Sequence, residues 1–199
     1  MNVVLPTRMT VDEFLAWAVR QDKGRYELFD GRVVMQQPQN WGHAELCVGI
    51  YNALAAAIDV SGVPFYAAPV GMTVRITKKN AFEPDALVAP LPKPERLDLE
   101  IRDPVVVVEV LSRSTAKRDR TDKLAGYFKV PSIQHYLIID PQDRDVVWYR
   151  RAMGGAMESP LTLREGSLRL DPPGITLAIS DIFPVGYWAT RSPENAESW

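Results

Sequence analysis

Two carboxylates in this 199-residue sequence interrupt runs that are otherwise apolar. Asp85 follows Pro84 at the head of Asp85-Ala86-Leu87-Val88, and Glu109 stands near the end of Val105-Val106-Val107-Val108-Glu109-Val110-Leu111. Side chains alternate along a strand, so Glu109 is expected on the face of Val105, Val107 and Leu111, where a charge needs a partner. If the two strands are antiparallel neighbours, the start of one lies beside the end of the other, and Asp85 and Glu109 converge at one sheet edge. Close carboxylates repel unless one takes a proton or a cation lies between them. A hard divalent ion meets that need, since magnesium commonly takes one or two carboxylates and completes its octahedron with water and phosphate oxygens. Lys123 follows fourteen positions after Glu109, in a stretch carrying Arg113, Lys117, Arg118 and Arg120 against Asp119 and Asp122. A lysine beside a metal-binding pair can orient an attacking water and stabilise charge growing on a phosphate. The combination points to phosphodiester hydrolysis.

These residues need elements to hold them. Thr10 and Glu13 form a capping-box pattern ahead of Phe14, Leu15 and Trp17, which predicts a first helix to about Arg20. Tyr26-Glu27-Leu28-Phe29 and Arg32-Val33-Val34-Met35, split by Asp30-Gly31, read as a hairpin. From His43, Leu46, Ile50, Leu54 and Ile58 recur every fourth position, the stripe of a helix packed on a sheet. Strands are expected over 72–77, 85–89 and 104–111, with a surface excursion over 90–103. A helix is expected within 112–129, stopped before Pro131, then a strand pair over 134–140 and 146–150. Small strands near Leu161, Leu168 and Ile175 and a turn at Ser180-Asp181 follow. The order implies an α/β fold of the α+β kind, a mixed sheet flanked by helices, and no Gly-rich phosphate loop is present. One domain over 1–190 with a polar tail over 191–199 is the expected organisation.

Charge and cysteine content narrow the function. Lys plus Arg is 23 against Asp plus Glu 25, a net charge of −2 that creates no global pull toward nucleic acid or anionic membrane, so any nucleic-acid site must be local. The lone Cys47 excludes an internal disulfide and a zinc finger. The run 46–60 contains Asn52 and Asp59 and fits a core helix better than a membrane span. A cytoplasmic protein is expected.

Pro84-Asp85 followed by Glu109-Val110-Leu111 at the end of a valine-rich strand resembles the PD-(D/E)XK nuclease motif with its lysine displaced. The wider set, Tyr26 to Gly31, His43, Pro84-Asp85, Val108 to Ser112, Ser114-Thr115, Asp119-Arg120, Lys123 and Asp140-Pro141, resembles the Uma-two family of restriction-endonuclease-like bacterial proteins. The resemblance implies a restriction-endonuclease-like core that uses Mg²⁺, with Mn²⁺ as a substitute, to cut DNA. Carried over by position, Asp85 and Glu109 would bind the metal, the Val110 carbonyl could add a ligand, and Glu27 would supply a further acidic group. Leu111 stands where the superfamily has lysine, so Lys123 of the next helix is inferred to take that role. Arg113 stands where relatives often carry proline.

Plainer readings compete at each position. Asp85 can be a turn residue, Glu109 one half of an ion pair with Arg113 or Arg118, and Lys123 a solvated side chain. Glu27 can be an ordinary outward strand residue, His43 a helix-start histidine bonded to a carbonyl rather than a general base, and Cys47 core. The leading function is a magnesium-dependent endonuclease with Arg113, Lys117, Arg118 and Arg120 as DNA contacts. The alternative is a catalytically silent protein of the same fold that binds nucleic acid or a protein partner. A two-carboxylate glycosidase is disfavoured, since the five tryptophans are scattered and the basic helix has no place in it. Cutting both strands would most simply need a homodimer.

Overall fold

The structure, a computed structural model, describes residues 8–112 and 115–183. The tail over 191–199, and Arg113 and Ser114, lie outside the described residues.

Helix α1 (Val11–Ala18) starts where the capping box predicts: the Thr10 hydroxyl accepts from the Glu13 N–H, and the Glu13 carboxylate accepts from the Thr10 N–H at 2.8 Å. Strands β1 (Tyr26–Phe29) and β2 (Arg32–Met35) form the expected hairpin. Asp30 and Gly31 turn it with φ of 47° and 76°, the positive values that a two-residue turn demands. Helix α2 (Trp41–Ser61) begins two residues earlier than its apolar stripe suggests, because the Asn40 side chain caps it by accepting the His43 N–H. Gly62, left-handed at φ 62°, ends it.

Strands β3 (Phe65–Pro69), β4 (Val74–Thr77), β5 (Asn80–Phe82), β6 (Ala86–Pro90) and β7 (Val106–Val110) follow. β3 and β5 go beyond the expected set. Helix α3 then runs through Ala116–Arg118, a π-helical turn Asp119–Lys123, and Leu124–Tyr127. It is the expected helix with an unforeseen wide turn in its middle. The predicted pair appears as β8 (His135–Asp140) and β9 (Asp145–Arg150), and the small strands as β10 (Leu161–Leu163), β11 (Ser167–Leu170) and β12 (Ile175–Ala178). A helical turn, Ile179–Ile182, closes the described chain.

Six strands form one sheet in the order β10-β9-β8-β7-β6-β3, and four form another in the order β2-β1-β5-β4. In the larger sheet only β7 and β8 run parallel, joined by α3, so it is the mixed sheet expected. Its two faces carry separate cores. On one face Leu46, Ile50 and Leu54 of α2 meet Val106, Val108 and Val110 and the β11-β12 hairpin. On the other, Leu87, Val107, Leu111, Tyr136 and Ile138 meet Ile76, Phe82 and Tyr127. Val105 precedes β7 and joins the first core, so the face expected for Glu109 keeps Val107 and Leu111 but not Val105. α2 is long and apolar enough to cross a membrane by length and composition, yet its stripe from His43 to Ile58 is buried in this core. Its other face exposes Trp41, Val48 and Val60.

Candidate active site

β6 and β7 are antiparallel neighbours, and the Asp85 N–H donates to the Val108 carbonyl at 2.9 Å, extending their ladder by one residue. The start of β6 thus meets the end of β7, the condition on which the convergence of the two carboxylates depended, and Asp85 and Glu109 line one cavity of about 130 Å³. Both are buried. The Asp85 carboxylate accepts from the Val110 N–H at 2.8 Å through one oxygen and from the Gln39 amide at 3.4 Å through the other.

Glu109 is not paired with Arg118; its partner is Lys123. The Lys123 ammonium donates to Glu109 Oε1 at 2.8 Å and lies 2.8 Å from Glu27 Oε1 and 3.6 Å from Asp119 Oδ1. Asp119, Lys123 and Tyr127 recur at intervals of four along α3, which brings all three to the Glu109 side, and the Tyr127 hydroxyl donates to Glu109 Oε1 at 2.7 Å. Glu27 reaches in from the other sheet, where its Oε1 also accepts the Glu83 N–H at 2.9 Å. It does not line the cavity but is buried against Lys123, and its Oε2 has no hydrogen-bond partner.

Burial pushes Glu109 well above the usual carboxylate range, with Lys123 only partly offsetting it and Asp119, Asp85 and Glu27 adding to the rise. For Lys123, burial works against the ammonium, and Glu109, Glu27 and Asp119 outweigh it, so the group stays cationic well past its ordinary value. Burial likewise raises Asp119. Three carboxylates, Glu109, Glu27 and Asp119, therefore surround one ammonium. The carboxylates that face the cavity are those of Asp85 and Glu109, hard oxygen donors of the kind a divalent cation takes.

His43 caps the cavity from α2. Its Nε2 lies 3.1 Å from the Val110 carbonyl and 3.7 Å from Asp85 Oδ2, which is the carbonyl-bonded state of the plainer reading. Cys47, one turn on, has its Sγ 3.4 Å from His43 Nδ1. Burial, with the Asp85 charge beside it, drives the Cys47 thiol pKa upward.

The basic stretch is less free than its sequence suggests. Lys117 is exposed, but the Arg118 guanidinium lies over the Phe29 ring at 4.9 Å and Arg120 donates to Asp140 at 2.9 Å. Residues the sequence reading left out also line the cavity, notably Arg25, which donates to Glu83 at 2.8 Å, and Gln39. Arg25 follows Gly24 ahead of β1 in a polar stretch that carries no pattern of its own. Asp119 had a signal, its i,i+4 spacing to Lys123.

The sequence matches the family Uma2, described as "Putative restriction endonuclease", over residues 11–190. An uncharacterized protein of Synechocystis is 24% identical over 176 residues, covering 88% of this chain and 92% of that protein. A second from the same organism is 26% identical over 143 residues, covering 70% and 80%. Among solved structures, one titled as a "putative nuclease belonging to DUF820" from Anabaena variabilis superposes with a TM-score of 0.70 at 17% identity, covering 88% of this chain and 97% of that one. The likeness in fold agrees with the restriction-endonuclease-like core expected from the motif set.

Proposed function

Starting from the fact that the chain belongs to the Uma2 family, we propose that it is a magnesium-dependent endonuclease hydrolysing DNA phosphodiester bonds at the Asp85–Glu109 cavity. The observation that carries the reading is the meeting of Asp85 and Glu109 at adjacent strand ends in one cavity, with Lys123 2.8 Å from Glu109. Asp85, Glu109 and the Val110 carbonyl are the ligand set, with Mn²⁺ able to replace Mg²⁺. A divalent ion held there would supply Lewis-acid polarisation of a phosphate oxygen and a more acidic bound water.

The protein's own groups do the rest. Val110 N–H and Gln39 fix the Asp85 carboxylate, and Tyr127 and Lys123 fix that of Glu109. Lys123 also lines the cavity, so its charge faces a phosphate brought to Asp85 and Glu109. Glu27 acts through Lys123 as a positioning residue. His43 acts likewise through Val110, and its place as a general base is not needed. Lys117, Arg118, Arg120 and Arg113 are the candidates for contacts to the DNA backbone, with Lys117 the least engaged. Two copies related by a two-fold axis would cut both strands, and the exposed Trp41, Val48 and Val60 of α2 offer an apolar face for such a contact in the cytoplasm. Solution mass measures this.

Nicking of supercoiled plasmid in Mg²⁺ and in Mn²⁺, wild type beside Asp85→Asn and with a chelator control, tests the reading. Metal-dependent nicking lost in Asp85→Asn supports it. DNA binding without nicking in either metal, equally strong in the variant, would instead establish the silent binder.

A further inference from the structure

We propose that His43, Cys47 and Asp85 form a second kind of metal site, one for a thiophilic divalent cation such as Zn²⁺. The side-chain donors of the three are buried and lie within 4.8 Å of one another. They supply one nitrogen, one sulfur and one carboxylate oxygen, the mixture that zinc accepts at tetrahedral distances and that magnesium does not.

The imidazole is already in the state a metal requires. A carbonyl can only accept, so the 3.1 Å contact between His43 Nε2 and the Val110 oxygen puts the ring proton on Nε2. Nδ1 then faces Cys47 Sγ at 3.4 Å. Orientation of a ligating histidine by a backbone carbonyl on its far nitrogen is a recurring feature of metal centres. His43 and Cys47 sit four residues apart on α2, so one helical turn stacks both donors on the same face. Asp85, fixed by the Val110 N–H at 2.8 Å, closes the triangle. Binding replaces the thiol proton, which leaves to solvent, with a sulfur–metal bond. His43 and Asp85 both line the cavity of about 130 Å³, which offers an entry path and room for water.

Asp85 belongs to both sites. Zinc on His43 and Cys47 would therefore take a ligand from the proposed magnesium site, and zinc would inhibit nicking in competition with magnesium. That competition rests on the nuclease reading; the site itself does not.

The test is a titration of the full-length protein with Co²⁺, followed by displacement with Zn²⁺. Wild type is expected to develop a thiolate-to-cobalt charge-transfer band at a single equivalent. Cys47→Ser should lose that band, and His43→Gln should bind Zn²⁺ at least about tenfold more weakly. No charge-transfer band at saturating Co²⁺, or equal Zn²⁺ affinity in wild type, Cys47→Ser and His43→Gln, overturns the proposal. The wild-type spectrum reads the sulfur ligand without any substitution, so a variant that packs poorly does not decide the matter. A band in protein that never nicks DNA in Mg²⁺ keeps the zinc site and removes the nuclease reading; nicking without a band does the reverse.

Discussion

Lys123 and Glu109 meet at 2.8 Å inside the protein, 3% exposed each, although one belongs to the helix and the other to the strand that precedes it. Removing either partner leaves a buried charge without its counter-charge. Lys123→Met should therefore destabilise the fold by about 3 to 5 kcal/mol, because Glu27 and Glu109 lose their shared counter-charge. Adding Glu109→Gln to that variant should cost less than the sum of the two single changes. Urea unfolding of the three variants measures both statements, and a loss below about 1 kcal/mol for Lys123→Met would mean that the ammonium is not the group holding this cluster together.

The raised Glu109 carboxyl predicts the pH dependence of metal binding. Its proton competes with a cation, and burial keeps that proton bound above the usual carboxylate range. Divalent-ion affinity should rise with pH across the range where Glu109 ionises, with protons released on binding. Calorimetric titration of Mn²⁺ at several pH values in buffers of different ionisation enthalpy checks this. Affinity that is flat with pH, with no proton release, would remove Glu109 from the ligand set.

Acid sensitivity should come in part from the far end of the sheet. The Trp148 indole donates to His135 Nδ1 at 3.1 Å, and burial depresses the His135 pKa to about 4 from an ordinary value near 6.5. The folded state therefore keeps this imidazole neutral while the unfolded chain protonates it. The stability is fully present above about pH 6.5 and is lost as pH falls toward 4, by about 3 kcal/mol in all. His135→Gln should lose less stability than wild type between those limits. Parallel losses in denaturant midpoints at pH 7 and pH 4.5 would count against it.

Gly126 is required by space rather than by backbone conformation. A Cβ there would lie 2.5 Å from Phe82 Cε2 and 3.4 Å from Ile76 Cγ2. Phe82 cannot step aside readily, being stacked on Phe29 at 4.5 Å and edge-on to Tyr127 at 5.5 Å. Gly126→Ala should cost about 1 to 3 kcal/mol, the scale of overpacking in a filled core. A thermal melt measures it, and because Tyr127 holds Glu109, nicking should weaken as well. A melt unchanged from wild type would show that α3 can lift off β5 at no cost.

Elements with a strong local signal were legible in the sequence. The capping box placed α1, Asp30-Gly31 placed the hairpin, and the apolar runs around Asp85 and Glu109 placed the two strands, whose antiparallel pairing only the structure supplies. β3 was hidden because Phe65-Tyr66-Ala67-Ala68-Pro69 is short and neither alternates nor carries branched side chains. At the site, the type of each residue was readable and its partner was not. Glu109 had to be paired, but the choice of Lys123 over an arginine depends on the path of α3 between two parallel strands. Cys47 looked like core from its helical phase and is core; that it also touches His43 follows only from the rotamers both adopt.

The π turn Asp119–Lys123 spends more residues per revolution than the winding on either side of it. Deleting one residue from it would restore ordinary pitch and swing everything beyond by about 100°. Tyr127 and Gly126 would leave the sheet although no functional side chain had been changed. The interval from Glu109 to its lysine is then a matter of phase as much as of distance, because the wide turn that ends at Lys123 also sets the face on which Tyr127 follows.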